Sequence, residues 1–165
     1  MARSIPDDRF EKLVDTATTV FLEQGYRRTQ VADVAERMGL AKGSVYTYVE
    51  SKEALFEYVL RHADHTEPID LPEELPVTSP GPRVMLETVR KRLANEGALP
   101  QLNAALTRPR AVDVRAELDT ILAELYDALA RHRTAIKLLD RCAPDYPALA
   151  KLWYGAGRER SPTGR

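Results

Sequence analysis

A short segment of the chain, residues 40–49, carries five side chains that donate hydrogen bonds. The donors are Lys42, Ser44, Tyr46, Thr47 and Tyr48. Ammonium and hydroxyl groups clustered in this way bind phosphate oxygens and the acceptor atoms on the edges of bases. The chemistry predicted for this segment is therefore noncovalent recognition of a nucleic acid.

The same segment has one apolar row, which consists of Val45 and Val49. A helix that begins near Ala41 would bury only this narrow face, because residues four apart lie above one another on a helix. Its other rows would present the five donors, together with Gly43, away from the protein. Gly43 lets the backbone approach a groove, and the methyl group of Thr47 suits thymine. Both tyrosines are expected to bond phosphate.

Three further helices are predicted to hold this segment in place. Apolar residues at three- and four-residue spacing predict a helix over residues 8–24 and a second one between Thr29 and Gly39. Thr29 is expected to cap the second helix, and Ser51 is expected to cap a fourth helix that runs to about His65. Two short helices joined through a glycine turn, with polar rows exposed on the second, have the outline of a helix-turn-helix.

Specific motifs occur at fixed positions along these elements. They are Gly25-Tyr26, Val34-Ala35, Met38-Gly39, Lys42-Gly43-Ser44-Val45-Tyr46 and Ser51-Lys52-Glu53-Ala54-Leu55. Together they closely resemble the amino-terminal signature of the tetracycline-repressor (TetR) family, from the first helix to the fourth. The resemblance implies a transcriptional regulator that binds a double-stranded DNA operator as a homodimer. It also implies a repressor that is released by a small-molecule effector.

The resemblance assigns residues outside the recognition segment to the DNA backbone, at the starts of the second and fourth helices. The full predicted DNA-binding set is Arg28, Thr29, Gln30, Lys42, Gly43, Ser44, Tyr46, Thr47, Tyr48 and Lys52. Between Arg27 and Lys52 five basic residues stand against three acidic ones, a local excess of two. This local charge suits a phosphate partner.

Three features depart from the family pattern. Ala41 replaces the usual serine or threonine cap, which predicts a less ordered recognition helix. Thr47 stands where the family often has an aromatic residue or histidine, and Val49 stands where it usually has phenylalanine. The sequence also stops near the point where the family's last pair of long helices, which build the dimer interface, should begin. A homodimer weaker than usual, or differently arranged, is therefore expected.

Proline placement predicts the domain organisation. Five prolines fall between residues 68 and 82, so this stretch is expected to be a linker or an ordered loop. We expect residues 1–66 to form the DNA-binding domain and residues 83–157 to form an incomplete effector-binding and dimerisation domain. Residues 158–165 are expected to be a polar tail. No segment alternates with period two, so the predicted fold class is all-α.

The second domain contains a regular apolar seam. Steps of four and three residues from Leu118 to Leu139, interrupted only by His132, predict one long helix that lies near a dimer contact. Tyr126, His132 and Trp153 are weak candidates for lining a ligand site, and for His132 a simple bond to a neighbouring residue is the alternative.

Composition limits the remaining possibilities. The chain has 165 residues, 24 basic and 25 acidic, which excludes coating of nucleic acid by bulk charge. Cys142 is the single cysteine, so it forms no intramolecular disulfide, and it is either a buried thiol or a redox sensor. The amino terminus lacks the apolar stretch of a secretion signal, and no run is apolar enough to span a membrane, so a cytoplasmic protein is expected.

Catalysis is not predicted. The sequence contains no catalytic-triad or paired-carboxylate spacing, no phosphate-binding loop and no metal-ligand cluster, so neither an enzyme nor a bound metal or cofactor is expected. The alternative to a DNA-binding regulator is a helical ligand-binding or protein-interaction module that has lost specific DNA recognition.

Overall fold

The computed structural model of the chain describes residues 7–65, 67–79, 81–96, 98–110 and 113–155. Across these ranges the protein is built from α-helices, with no strand, which confirms the all-α class. The helices are α1 (Asp7–Gln24), α2 (Val31–Arg37), α3 (Lys42–Val45), α4 (Lys52–His62), α5 (Pro82–Glu96), α6 (Pro100–Thr107), α7 (Val114–Arg131), α8 (Arg133–Cys142) and α9 (Pro147–Gly155). No helix in the described part of the chain is long and apolar enough to cross a membrane.

Helix α1 lies at the centre of the N-terminal half, and the apolar stripe predicted from its spacing is fully buried. Phe21 packs against Phe56 of α4, with ring centroids 4.9 Å apart. The helix ends at Gly25, whose φ of +80° is in the left-handed region that favours glycine. This turn directs the chain into α2 and fixes the angle between the two helices.

The C-terminal half packs directly on α1 through α8. The thiol of Cys142 donates a weak hydrogen bond to the carbonyl of Phe21 at 3.8 Å. Arg141 donates to the carbonyl of Glu23 at 2.9 Å, and Asp145 accepts from the amide of Arg27 at 3.0 Å. The turn after α1 is therefore held by the second half of the chain.

The described part of the proline-rich stretch is in contact with the N-terminal helices. Val77 forms a parallel bridge with the end of the recognition segment: its amide donates to Tyr48 at 2.8 Å, and its carbonyl accepts from Glu50 at 2.9 Å. Ile69 is buried in the core. The loop thus contacts the N-terminal helices; Thr66, Pro80 and the expected tail 158–165 lie outside the described residues.

The single long helix predicted from Leu118 to Leu139 is wrong. The chain breaks at His132, which separates α7 from α8. The carboxylate of Asp64 accepts hydrogen bonds from the amides of Thr134 at 2.8 Å and Ala135 at 3.2 Å, so it caps the start of α8. An apolar row continues across a one-residue break unchanged, and therefore the spacing could not reveal it.

Candidate nucleic-acid interface

The recognition segment, residues 40–49, contains only one turn of helix. Helix α3 covers Lys42–Val45 and is followed by a turn through residues 46–48. Val45 and Val49 are completely buried beneath it, as the apolar row predicts. Ala41 occupies the N-cap position in an extended conformation and makes no side-chain capping bond. The segment is anchored by its two valines and by the Val77 bridge.

Four of the predicted DNA-binding residues form one exposed surface on this segment. Lys42, Gly43 and Thr47 are exposed, and Tyr46 is 40% exposed. Apart from its chain neighbours and the backbone of its own helix, no described atom lies within 4 Å of the position that a Cβ on Gly43 would occupy, so the backbone is open to an approaching partner there. We call these four residues the recognition surface.

Ser44 and Thr47 place two further hydroxyl groups at the recognition surface. Ser44 is half-buried beside it. The hydroxyl of Thr47 donates to the carbonyl of Ser44 at 2.7 Å. That bond supports the first turn after α3 and fixes the rotamer of Thr47.

The predicted exposure of Tyr48 is wrong. Its side chain is only 5% exposed, and its ring lies 6.2 Å from that of Phe10, centroid to centroid. Because α3 ends at Val45, the next turn carries residue 48 into the core instead of continuing the outer helical row. Tyr48 therefore supports the recognition segment from below.

The capping role predicted for Thr29 is wrong. Thr29 is buried, and its hydroxyl donates to the carbonyl of Gly25 at 2.7 Å, so it shapes the turn between α1 and α2. The N-cap of α2 is Gln30, whose amide donates to the carboxylate of Asp33 at 2.9 Å. Arg28 and Gln30 remain exposed beside this helix start.

Lys52 is engaged within the protein. Its Nζ donates to the carbonyl of Tyr26 at 3.0 Å and lies 4.6 Å from the centroid of the Tyr26 ring. The Tyr26 hydroxyl donates to Glu53 at 3.0 Å, and burial together with this bond raises the pKa of Tyr26. Ser51 caps α4 as predicted, because its hydroxyl accepts from the amide of Ala54 at 3.1 Å. Lys52 therefore joins the start of α4 to the turn after α1.

Ion pairs neutralise two of the five basic residues between Arg27 and Lys52. Arg37 pairs with Glu23 at 2.6 Å, and Arg27 pairs with Asp145 at 3.6 Å. Arg27, Arg28, Arg37 and Lys42 are all exposed, but Arg28 and Lys42 form no ion pair with another described residue. These two cations can therefore meet phosphate or base acceptors without breaking an internal bond.

A cavity of about 200 Å³ lies between the N-terminal half and the C-terminal helices. Its lining is almost wholly apolar and comes from α4, α5, α7, α8 and α9, including Leu60, Leu93, Leu129, Leu139 and Trp153. His132, a weak ligand candidate, also lines it, as does Trp153. Tyr126 is not part of the lining and is 73% exposed, because it lies on the outer side of α7.

Asp64 lies beside this cavity in a junction that the sequence did not indicate. Its side chain is 7% exposed and pairs with Arg92 of α5 at 3.0 Å, in addition to capping α8. Arg92 also donates to the carbonyl of Leu60 at 2.6 Å, near the end of α4. The charge of Asp64 is thus used inside the fold.

The geometry of residues 7–62 is that of a helix-turn-helix domain. Residues 13–59 match the model of the family described as bacterial regulatory proteins, tetR family. Over these residues the chain is therefore similar to the tetR family of bacterial regulatory proteins. A comparison with solved structures found no significant match.

Similar curated proteins match the same region. The HTH-type transcriptional repressor KstR2 of Rhodococcus jostii (strain RHA1) is 42% identical over 53 residues, which is 32% of this chain and 26% of that protein. KstR2 of Mycolicibacterium smegmatis is 40% identical over 58 residues, 35% of this chain and 28% of that protein. The biofilm operon icaADBC HTH-type negative transcriptional regulator IcaR of Staphylococcus aureus (strain Newman) is 36% identical over 47 residues, 28% of this chain and 25% of that protein. These matches span about a quarter of each relative's length.

Proposed function

We propose that the protein is a sequence-specific DNA-binding transcriptional repressor. The observation that carries this proposal is the recognition surface, which presents Lys42, Gly43, Tyr46 and Thr47 outward while Val45 is completely buried. The similarity of residues 13–59 to the tetR family supports it, and the matched relatives are named as a transcriptional repressor and a negative transcriptional regulator.

Each exposed residue has a defined role in this proposal. Lys42 donates to guanine acceptors or to phosphate, and the methyl group of Thr47 contacts thymine in the major groove. Tyr46 donates its hydroxyl to phosphate, and Arg28 and Gln30 hold the backbone beside α2. Tyr48, Thr29 and Lys52 contribute by supporting this surface from within.

The proposal extends to release by a small-molecule effector. Leu60 belongs to α4 and lines the cavity, and Arg92 and Asp64 tie the end of α4 to α5 and α8. A molecule that enters the cavity therefore acts directly on α4, whose first turn follows the recognition segment. Movement of α4 would change the separation of two recognition segments, which must match half-sites about 34 to 36 Å apart.

A homodimer supplies the second recognition segment. The leucines of α7 are exposed, at positions 118, 122, 125 and 129. Their steps of four, three and four read the same in both directions, so an antiparallel two-fold pairing sets Leu118 against Leu129 and Leu122 against Leu125. Such a self-complementary patch fits the interface of a symmetric dimer.

Selection of bound sequences from random double-stranded DNA, with a parallel sedimentation measurement of mass, tests the proposal. We expect enrichment of a two-fold symmetric sequence and a concentration-dependent dimer. Lack of enrichment from a folded protein would contradict DNA recognition and favour the alternative of a ligand-binding or interaction module. A folded monomer at high micromolar concentration would contradict the dimer.

A further inference from the structure

The cavity between α4, α5, α7, α8 and α9 is lined mainly by aliphatic side chains and the ring of Trp153. Arg92 and His132 are the two lining residues that carry a charged or titratable group. The chemistry of an occupant therefore depends on whether these two groups are available to it.

The charge of Arg92 is already matched by Asp64. Its two terminal nitrogens donate to the carbonyl of Leu60 at 2.6 Å and to the carboxylate of Asp64 at 3.0 Å. The ring of His132 lies on the other side of the same carboxylate, with Nδ1 3.9 Å away. An anionic ligand would have to displace Asp64 or be buried beside it, and both cost desolvation and repulsion.

The size of the cavity limits the occupant to a compact molecule. Its volume is about 200 Å³. For comparison, an apolar protein cavity of roughly 150 Å³ stays dry and binds benzene. There is thus room for a fused bicyclic or a branched hydrocarbon, and a further ring can extend toward solvent beside Leu125 and Leu129, which line the cavity and are exposed.

We propose that this cavity binds a compact, uncharged, apolar molecule that packs against Trp153, Leu129 and Leu139. The identification of this molecule as an effector rests on the proposed function. The binding of the molecule to the cavity does not depend on the proposed function, because binding is measured on the free protein. The ligand class follows from the apolar lining and from the prior engagement of Arg92 by Asp64.

Two dyes that share one skeleton test this ligand class on the full chain. N-phenyl-1-naphthylamine is neutral, and 8-anilino-1-naphthalenesulfonate adds one sulfonate to it. Trp153 is the single tryptophan of the chain and lines the cavity, so energy transfer from Trp153 to the dye reports binding to the protein, and the variants below assign that binding to the cavity. We expect saturable transfer to the neutral dye and binding of the sulfonate that is at least about tenfold weaker.

Variants of α7 provide matched controls. Ala128→Phe fills the cavity from its wall, whereas Ala123→Phe makes the same change at an exposed position of the same helix. Ile136→Glu, on α8, places a charge at a half-buried position of the lining away from the exposed leucines of α7, and serves if Ala128→Phe does not fold. We expect both cavity variants to weaken binding of the neutral dye at least about tenfold. Ala123→Phe and Leu122→Gln, on the exposed seam, should leave it unchanged.

The inference would be overturned if the sulfonate bound as tightly as the neutral dye. It would also be overturned if Leu122→Gln weakened binding of the neutral dye and a folded cavity variant did not, since the dye would then occupy the exposed seam. These outcomes are independent of DNA. Selection of an operator without dye binding contradicts only the ligand class, and dye binding that leaves operator affinity unchanged contradicts only effector release.

Discussion

Asp64 and Arg92 form an ion pair of 3.0 Å between the residues just after α4 and the middle of α5. The same carboxylate caps α8. The guanidinium also donates to the carbonyls of Leu60 and Arg61, near the end of α4. One side-chain pair thus joins three helices at the wall of the cavity.

Removal of the Asp64 carboxylate should destabilise the protein strongly. Asp64→Ala removes the carboxylate that pairs with Arg92 and uncaps α8, a type of change that costs about 3 to 5 kcal/mol. Asp64→Asn should cost less, because its amide oxygen can still accept from Thr134. Urea unfolding measures both. Asp119→Asn, at an exposed position of α7, is the control, and equal stability of all three variants would show that the junction contributes little.

Tyr46 and Tyr48 should give opposite results although they are two residues apart. Tyr48→Ala removes a buried ring and should lower the free energy of unfolding by about 3 kcal/mol or more. Tyr46→Ala, at an exposed position, should change stability by no more than about 0.5 kcal/mol and weaken DNA binding. Urea unfolding and a DNA titration of both variants test this pair. A loss of stability for Tyr46→Ala similar to that for Tyr48→Ala would contradict the assignment of the recognition surface.

Cys142 should behave as an inert thiol, which was one of the two readings left open by the sequence. Burial raises its pKa to about 12, and the side chain is completely buried. At about pH 8 the folded protein would then hold roughly one thiolate in ten thousand thiols. We expect an aromatic disulfide reagent to modify Cys142 slowly in the folded protein and rapidly in denaturant. Rapid modification of the folded protein would restore the redox-sensor hypothesis.

His62 should make stability fall as the pH is lowered. Burial, followed by the nearby charges of Arg61, His65 and Arg92, lowers its pKa below the ordinary value. Its ring stacks on Tyr58, with centroids 4.5 Å apart. The unfolded chain therefore binds a proton first, and stability is lost as the pH falls through about 6.5 and below.

The test of this effect is urea unfolding between about pH 7.5 and 5.5, compared with His62→Gln. The variant should show a flatter dependence across this range. An identical slope in both proteins would assign the pH dependence to other groups.

The sequence predicts much of this fold because the positions that matter repeat at helical spacing. The buried stripe of α1, the Gly25 turn and the Ser51 cap can each be read locally. The burial of Tyr48 cannot, because it depends on α3 ending after one turn and on the contact with Phe10.

The sequence also does not reveal polar contacts between residues that lie far apart along the chain. Asp64 lies 70 residues from the amide of Thr134 that it caps, and the Lys52 ammonium binds a backbone carbonyl, which every residue type offers. The break between α7 and α8 went unseen for the same reason, since its capping group comes from another element. Periodicity reports which face of a helix is apolar, and it carries no information about such partners.

The most direct test of DNA recognition is the affinity of the protein, by fluorescence anisotropy, for its selected duplex and for a shuffled duplex of the same composition at one salt concentration. We expect the selected duplex to bind at least about a thousandfold more tightly. Lys42→Ala should reduce this ratio by weakening recognition at one base pair, by about 1 to 3 kcal/mol. Equal affinity for the two duplexes, or an unchanged ratio in Lys42→Ala, would contradict sequence recognition by the Lys42 surface.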